Sequence, residues 1–440
     1  MNKNKYNPHF NFALLLVVFG FTTFAQETQK LDLKQAIERS IKNSKQLKIS
    51  KAKSDDATAV VQAANDSKLP NFNLSANYLR LGFANIDLKT SGTSGGGGGA
   101  AVNPTQAMYG LASLSLPLYA GGKIKYGIES AQYLQKAVAL DAETDRQAVV
   151  YNTTSAYINL YKAQGAVTIV KANLDAALTR DSSLSSLEKN GILTRNDFLK
   201  AQLQTSNIEL ALLEATNNLN LATVNMNLLL GQPENTVIFI DPAFLDIKDE
   251  QRNFADFQSL ALQNRKDLQA IAYRKKAATT AVKSAEGEAY PTIALTGGYI
   301  AAHVPDVLTI TNAVNLGLGV QYNLASLWKK NTKLLQAKAR ETQVNVSEEI
   351  LNDVVKLQVN QDYQNYILSK NKIAVYEKAI IQATENVRIT NNKYNNSLAT
   401  ISELLEADVA LLQTKLNIQA AKADAVGAYQ KLLQTTGIIN

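Results

Sequence analysis

Residues 118–231 match residues 324–437 at one constant offset of 206 positions, and an internal repeat of this length decides the architecture before any local reading begins. Leu118, Ala131, Tyr157, Ala201 and Gly231 meet Leu324, Ala337, Tyr363, Ala407 and Gly437 with no net insertion between them. Nearer the N-terminus, Leu47, Ala57, Pro70, Leu74 and Tyr78 meet Leu268, Ala278, Pro291, Leu295 and Tyr299 at an offset of 221. The change of offset falls between Tyr78 and Leu118, where the first copy carries a glycine run at 95–99 that reads as a flexible loop between strands. The 440 residues therefore divide into an N-terminal segment, a first repeat over 26–231, a connecting segment over 232–257 and a second repeat over 258–440.

Inside each repeat the apolar period switches between helix and strand. Phe72, Leu74 and Tyr78 alternate with Asn71, Asn73, Ser75 and Asn77, and Val314, Leu316, Leu318 and Val320 alternate with Asn315, Gly317 and Gly319. A period of two gives a strand one apolar and one polar face. Four such strands are expected, at 70–81, 110–118, 291–301 and 313–324. Each approaches the about 9–11 residues of a tilted membrane-crossing strand. Trp328, Tyr119 and Tyr322 fall at the strand ends towards the helices, as interfacial anchors or as core packing. His303 falls in the second strand–strand loop with no ligand partner nearby.

The remaining sequence reads as helices over 36–68, 123–189, 195–230, 258–289, 329–393 and 401–436. At about 1.5 Å per residue the two longest reach about 100 Å and the others about 50 Å. A helix of that length needs an equally long neighbour, and two short helices end to end supply it in each repeat. Val359, Tyr366, Ile373, Ile380, Val387 and Tyr394 recur every seven residues, while Leu405, Val409, Leu412 and Leu416 step by four, three and four. Both patterns are coiled-coil seams. The segment 233–254 breaks the helical pattern and is expected to pack around the waist of the helical array.

Composition bears on chemistry. The chain has no cysteine and two histidines, so disulfides, thiol nucleophiles and cysteine-ligated metals are excluded, and no metal, cofactor or catalytic residue is assigned. Basic residues do not cluster with aromatics, which argues against nucleic-acid binding. Lys3 and Lys5, an apolar run from Phe12 to Gly20 and a small residue at Ala25 read as a secretory signal over residues 1–25. Four strands cannot close a membrane barrel, because the smallest have eight. An open sheet in lipid leaves its edges unpaired at several kcal/mol per group. Strands in a membrane therefore require an oligomer: a dimer gives eight strands, a trimer twelve, a tetramer sixteen.

Over essentially the whole mature chain the residues resemble the TolC family of outer-membrane efflux channels. The resemblance is carried by the duplicated proline-led strands at Pro70 and Pro291 and by Ser115-Leu116-Pro117-Leu118-Tyr119-Ala120-Gly121-Gly122, which opens a long helix. It is carried as well by two paired motifs, residues 190–197 (Asn190, Gly191, Ile192, Leu193, Thr194, Arg195, Asn196, Asp197) and residues 394–401 (Tyr394, Asn395, Asn396, Ser397, Leu398, Ala399, Thr400, Ile401). The resemblance implies a mainly helical protein: long antiparallel coiled-coil helices forming an α-barrel in the periplasm, and four strands per chain contributed to a twelve-stranded barrel of a homotrimer. The implied setting is the outer membrane of a Gram-negative bacterium, in contact with its lipid. The implied partners are a periplasmic adaptor (membrane fusion) protein and an inner-membrane RND or ABC transporter.

The same resemblance assigns roles at the two paired motifs. Asn190, Gly191, Ile192, Leu193 and Thr194, with Asn396, Ser397, Leu398, Ala399 and Thr400, form the tips that receive the adaptor. Tyr394 and Asp197 fall where the family holds its entrance closed. Ala399 stands where better-known members have a closing arginine, and Arg195 is the residue available to replace it. Glu403 and Glu406 fall where an acidic ring lines the constriction. They are three apart and share a helix face, and acids in a first helical turn also suit the macrodipole of a solvated helix end. The alternative to a channel is a secreted or surface coiled-coil structural protein whose strands pair in water.

Overall fold

The computed structural model describes residues 29–82, 104–246, 252–305 and 307–439. The signal-like segment and the glycine run at 95–99 lie outside the described residues. In chain order the described elements are β1 (Gln29–Leu31), α1 (Leu33–Asn43), α2 (Lys45–Asp66), β2 (Asn71–Arg80), β3 (Gln106–Tyr119), α3 (Lys123–Lys189) and α4 (Arg195–Leu230). The second half continues with β4 (Ile238–Ile240), α5 (Phe254–Asn264), α6 (Lys266–Glu286), β5 (Thr292–Val304), β6 (Leu308–Gln321), α7 (Thr332–Asn395) and α8 (Ile401–Thr435). The bounds of α3 and α4 coincide with the sequence reading. The fourth strand ends earlier than expected, and a 3-10 turn over Leu324–Leu327 separates it from α7, which starts at Thr332.

Two helices expected to be continuous are each broken in two, at Ser44 and at Arg265. Both residues have ψ near 120°, outside the helical region. They are equivalent by the repeat, 221 positions apart. The breaks sit where the other short helices end. Asn43 donates its amide to the Leu230 carbonyl at 2.6 Å, and Ser44 caps α2 by accepting the Leu47 amide at 3.2 Å. In the second repeat, Arg265 donates to the Thr435 carbonyl at 3.2 Å and to Gln358 at 2.9 Å. The break lets each chain segment step over the glycine that ends the opposing helix, Gly231 or Gly437, both at φ near +70°.

Four strands form one antiparallel sheet in the order β2-β3-β5-β6. Its register joins the apolar positions into a continuous face: Phe72 opposite Leu114 and Leu74 opposite Ala112, then Leu116 opposite Leu295, Leu295 opposite Leu318 and Ile293 opposite Val320. Val314, Leu316, Leu318 and Val320 are each more than two-thirds exposed, so among the described residues nothing covers that face. The opposite face carries Asn73, Ser75, Ser113, Thr296 and Asn315. β5 is longer than expected and takes in His303, whose Nδ1 lies 2.9 Å from the Thr309 hydroxyl across the strand pair. The residue is therefore on a strand with a hydrogen-bond partner, not in a loop. Among the described residues no helix is long and apolar enough to cross a membrane.

A second, two-stranded parallel sheet joins β1 to β4 at the waist; neither strand was expected. Its anchor is Tyr157 in the middle of α3, fully buried, whose hydroxyl donates to the Leu31 carbonyl at 2.8 Å. Burial raises that phenol far above its ordinary pKa of 10.0. Leu31, Ala156, Leu160, Met226, Leu230, Ile238 and Ile240 close around it as the first waist core. Phe257, Val355, Val359, Tyr366, Tyr429 and Leu432 form the corresponding core of the second repeat. Helix α3 is central to the array: α2 and α4 line one flank of it, α6 and α8 the other, with α7 beyond them. Val359 and Tyr366 of the heptad in α7 are buried, and Leu405, Leu412 and Leu416 of α8 pack on neighbouring helices, whereas Val409 is exposed.

Candidate functional site at the helical tips

The two helical hairpins end at the same level, opposite the four-stranded sheet. Helix α3 closes at Asn190 through a pair of backbone bonds, Gly191 to Glu188 and Ile192 to Leu187, both 2.9 Å. Helix α7 closes identically, with Ser397 bonded to Tyr394 at 2.9 Å and Leu398 to Lys393 at 2.8 Å. Both are Schellman motifs, which need a left-handed residue after the cap. Gly191 supplies it at φ +71°, and Ser397, its equivalent in the repeat, is held at φ +60° without glycine's freedom. The next residue in each turn is apolar and bare: Ile192 is 72% and Leu398 77% exposed.

The helices leaving the tips start from Thr194 and Thr400. Thr194 caps α4 by accepting the Asp197 amide at 3.2 Å, and its hydroxyl donates to the Asp197 carboxylate at 2.8 Å. Lys200 adds an ion pair to Asp197 at 3.2 Å and reaches Ser402 of α8 at 3.4 Å. Thr400 and Glu403 form a reciprocal capping box, with the Thr400 amide donating to the Glu403 carboxylate at 2.6 Å and the Glu403 amide donating back at 3.3 Å. These contacts hold both carboxyls below their ordinary values, the Thr194 hydroxyl mainly for Asp197 and the Thr400 amide mainly for Glu403. Glu406 is exposed one turn further along the same helix.

Leu184, Phe198, Ala201, Ile401 and Leu404 make a small core shared by both hairpins, with Leu187, Leu193, Tyr394 and Leu405 at its margin. Tyr394 is thus half-buried between the hairpins. Its phenol is pushed up first by burial and then by the negative charge of Asp197, against the positive charge of Arg180. Tyr394 and Asp197 are brought within electrostatic reach, while the hydrogen bonds of Asp197 named above come from its own helix. Arg195 stays on its own hairpin, 3.5 Å from Glu188 and 5.7 Å from the centre of the Phe198 ring. Ala399 is half-buried at the place equivalent to Leu193.

One pair escaped the sequence reading. Arg180 of α3 and Asp408 of α8 form an ion pair, with side chains only 26% and 17% exposed. Burial holds the Asp408 carboxyl above the ordinary 3.8 in spite of the guanidinium. The available signal was two opposite charges interrupting apolar helix faces, Arg180 between Ala177 and Leu184 and Asp408 between Leu404 and Leu412. Each lies eight to ten residues from its tip. Among the described residues no cluster of metal-ligating side chains occurs.

Comparison with known proteins gives a consistent picture. Residues 36–232 and 258–438 match the family model "Outer membrane efflux protein". The outer membrane efflux protein BepC of Brucella suis biovar 1 is 21% identical, with 97% of this chain aligned to 89% of that protein. The outer membrane protein TolC of Escherichia coli K12 is 20% identical, over 97% of this chain and 86% of its own length. Among solved structures, the CmeC outer membrane channel of Campylobacter jejuni superposes with a TM-score of 0.79 at 16% identity, covering 92% of this chain and 85% of that one.

Proposed function

This chain belongs to the outer membrane efflux protein family, a family of outer-membrane channels and not of enzymes, and on that premise we propose that three copies close into a single exit duct gated at the helical tips. The chain is the outer-membrane component of an efflux system. In the proposed assembly the four strands of each copy join in a twelve-stranded barrel and the helices form a tunnel on the periplasmic side. A periplasmic adaptor takes the tips, and an inner-membrane RND or ABC transporter supplies the energy.

The observation that carries this reading is the pair of unsatisfied flanks. β2 and β6 are the edges of the sheet, each with one unpaired side, and an edge strand in lipid must find a partner. The helical flanks repeat the argument. Leu203, Leu210, Leu221 and Leu228 are exposed along α4, and Ile350, Leu357, Leu368 and Val375 are exposed along α7. Both sets step by 7, 11 and 7 residues, spacings that keep side chains on one helix face. Two apolar stripes with the same spacing, on the two outer helices of one chain, suit a ring in which α4 of one copy meets α7 of the next.

At the tips, the shared core and the Arg180–Asp408 pair hold the hairpins of one copy together. In the proposed gate, Tyr394, Asp197 and Arg195 govern how far neighbouring hairpins spread. Glu403 and Glu406 line the constriction, and three copies of them favour cations. The bare Ile192 and Leu398 and their neighbours in the turns meet the adaptor.

The flank pairing is testable because the chain has no cysteine. At about 1.5 Å per residue, Leu221 stands about 39 Å from the tip along α4 and Leu368 about 40 Å along α7. Leu221→Cys combined with Leu368→Cys, treated with a short bis-maleimide in outer membranes, is expected to yield covalent dimers and trimers and nothing larger. Each single variant is expected to yield neither. A ladder ending at the dimer or continuing past the trimer would overturn the three-fold ring.

A further inference from the structure

The ends of α3, α6 and α7 nearest the sheet meet in one collar. Ser284 donates to the Lys123 carbonyl at 3.3 Å, and Asn331 donates to the Ala285 carbonyl at 3.2 Å. Gly121 and Gly287 approach so closely that a Cβ on Gly121 would lie 2.3 Å from the Gly287 carbonyl oxygen. The helix ends at this level carry six lysines, Lys123, Lys125, Lys283, Lys329, Lys330 and Lys333, against Glu286 and Glu288, with Glu129 one turn further along α3 and hydrogen-bonded by Tyr133.

The pairing leaves most of that charge uncompensated. Glu288 is bridged by Lys123 at 3.5 Å and Lys333 at 2.7 Å. Lys125 and Lys283 share the single ring of Tyr126, at 5.7 and 5.9 Å from its centre. Lys329 and Lys330 are exposed beside Trp328, itself 72% exposed. Like charges gathered at one level repel unless an anionic surface faces them. Along the long axis the order is also informative: the bare apolar face of the sheet, then exposed Tyr119, Tyr290, Tyr322 and Trp328, then the lysines. That is the order of hydrocarbon, interface and phosphate in a lipid leaflet.

We propose that this collar binds the headgroups of anionic phospholipids in the leaflet on the helical side, with Lys125, Lys283, Lys329 and Lys330 meeting the phosphates and Trp328 lying just above them. The proposal rests on the sheet being in a membrane, and the test separates the two. Trp328 is the only tryptophan in the chain, so its fluorescence reports the lipid beside the collar. The full-length protein is reconstituted in phosphatidylcholine bilayers containing either brominated phosphatidylglycerol or brominated phosphatidylcholine, and quenching is compared at equal bromolipid fraction.

The expected result is a preference for phosphatidylglycerol of about fivefold or more at low salt, falling towards unity in about 0.5 M salt. The triple variant Lys125→Gln, Lys329→Gln, Lys330→Gln is expected to lose the preference, and the same three positions changed to arginine to keep it. Equal quenching by the two lipids in the unmodified protein, or an unchanged preference in the glutamine variant, would overturn the headgroup site and leave the membrane placement standing. No quenching by either lipid would overturn both.

Discussion

Arg180 and Asp408 tie the two hairpins of one chain together through a mostly buried ion pair, in the last stretch before the tips. The pair lies between a surface bridge, which contributes little, and a fully buried one, whose breakage costs about 3–5 kcal/mol. Arg180→Met leaves the mostly buried Asp408 carboxylate without its counter-charge and is expected to destabilise the tips by about 2 kcal/mol. Hydrogen exchange should speed up in the last turns of α3 and the first turns of α8 while the waist remains protected. Unchanged exchange in the tips would show that the shared apolar core alone holds the hairpins.

The tip carboxyls should titrate in a definite order. Asp408 has its folded pKa raised, so its proton is held more tightly in the native tip, and its ionisation costs stability as pH rises from 3.8 through the raised value. Asp197 and Glu403 have theirs lowered, so their contribution is complete above the ordinary 3.8 and 4.5 and is lost as pH falls through the folded values. On acidification Asp408 is expected to protonate before Asp197, with the cap of α4 still intact. Carboxyl carbon NMR on protein labelled at aspartate checks the order, and protonation of Asp197 before Asp408 would contradict it.

Ser397 occupies a left-handed position that its repeat partner fills with glycine. Ser397→Gly is expected to stabilise the α7–α8 turn by about 0.5–1 kcal/mol, and Gly191→Ala to destabilise the α3–α4 turn by about 1 kcal/mol. Amide exchange at the two turns, compared between variants, should move in opposite directions.

The acidic residues after Thr400 can be neutralised without uncapping the helix, because glutamine at the third position still completes a capping box. Glu403→Gln with Glu406→Gln is therefore expected to keep the tip folded while weakening cation selectivity, seen as a smaller reversal potential in a salt gradient. An unchanged reversal potential would assign Glu403 to the cap alone.

Much of this fold was legible because long elements declare their period many times over. The ends of α3 and α4 were readable to the residue, since the helical period runs to an Asn-Gly pair and restarts at a threonine cap. The breaks at Ser44 and Arg265 were not readable, because each chain resumes helix at once and the reason for the break lies in Gly231 and Gly437, nearly 190 and 172 positions away. β1 and β4 have three residues each, too few for alternation to register. At the tips the turns and caps were local and visible. The Arg180–Asp408 contact joins helices 228 positions apart, and local pattern carries no information about such a pairing.

The most direct test of a gated duct is single-channel current through the purified protein in a planar bilayer. Small, discrete conductance steps are expected from the unmodified chain, and severalfold larger steps when Tyr394→Phe is combined with Asp197→Ala, because the tip hairpins are then freer to spread. Absence of discrete steps from either protein would contradict the duct itself, and equal steps from both would contradict a gate at Tyr394 and Asp197.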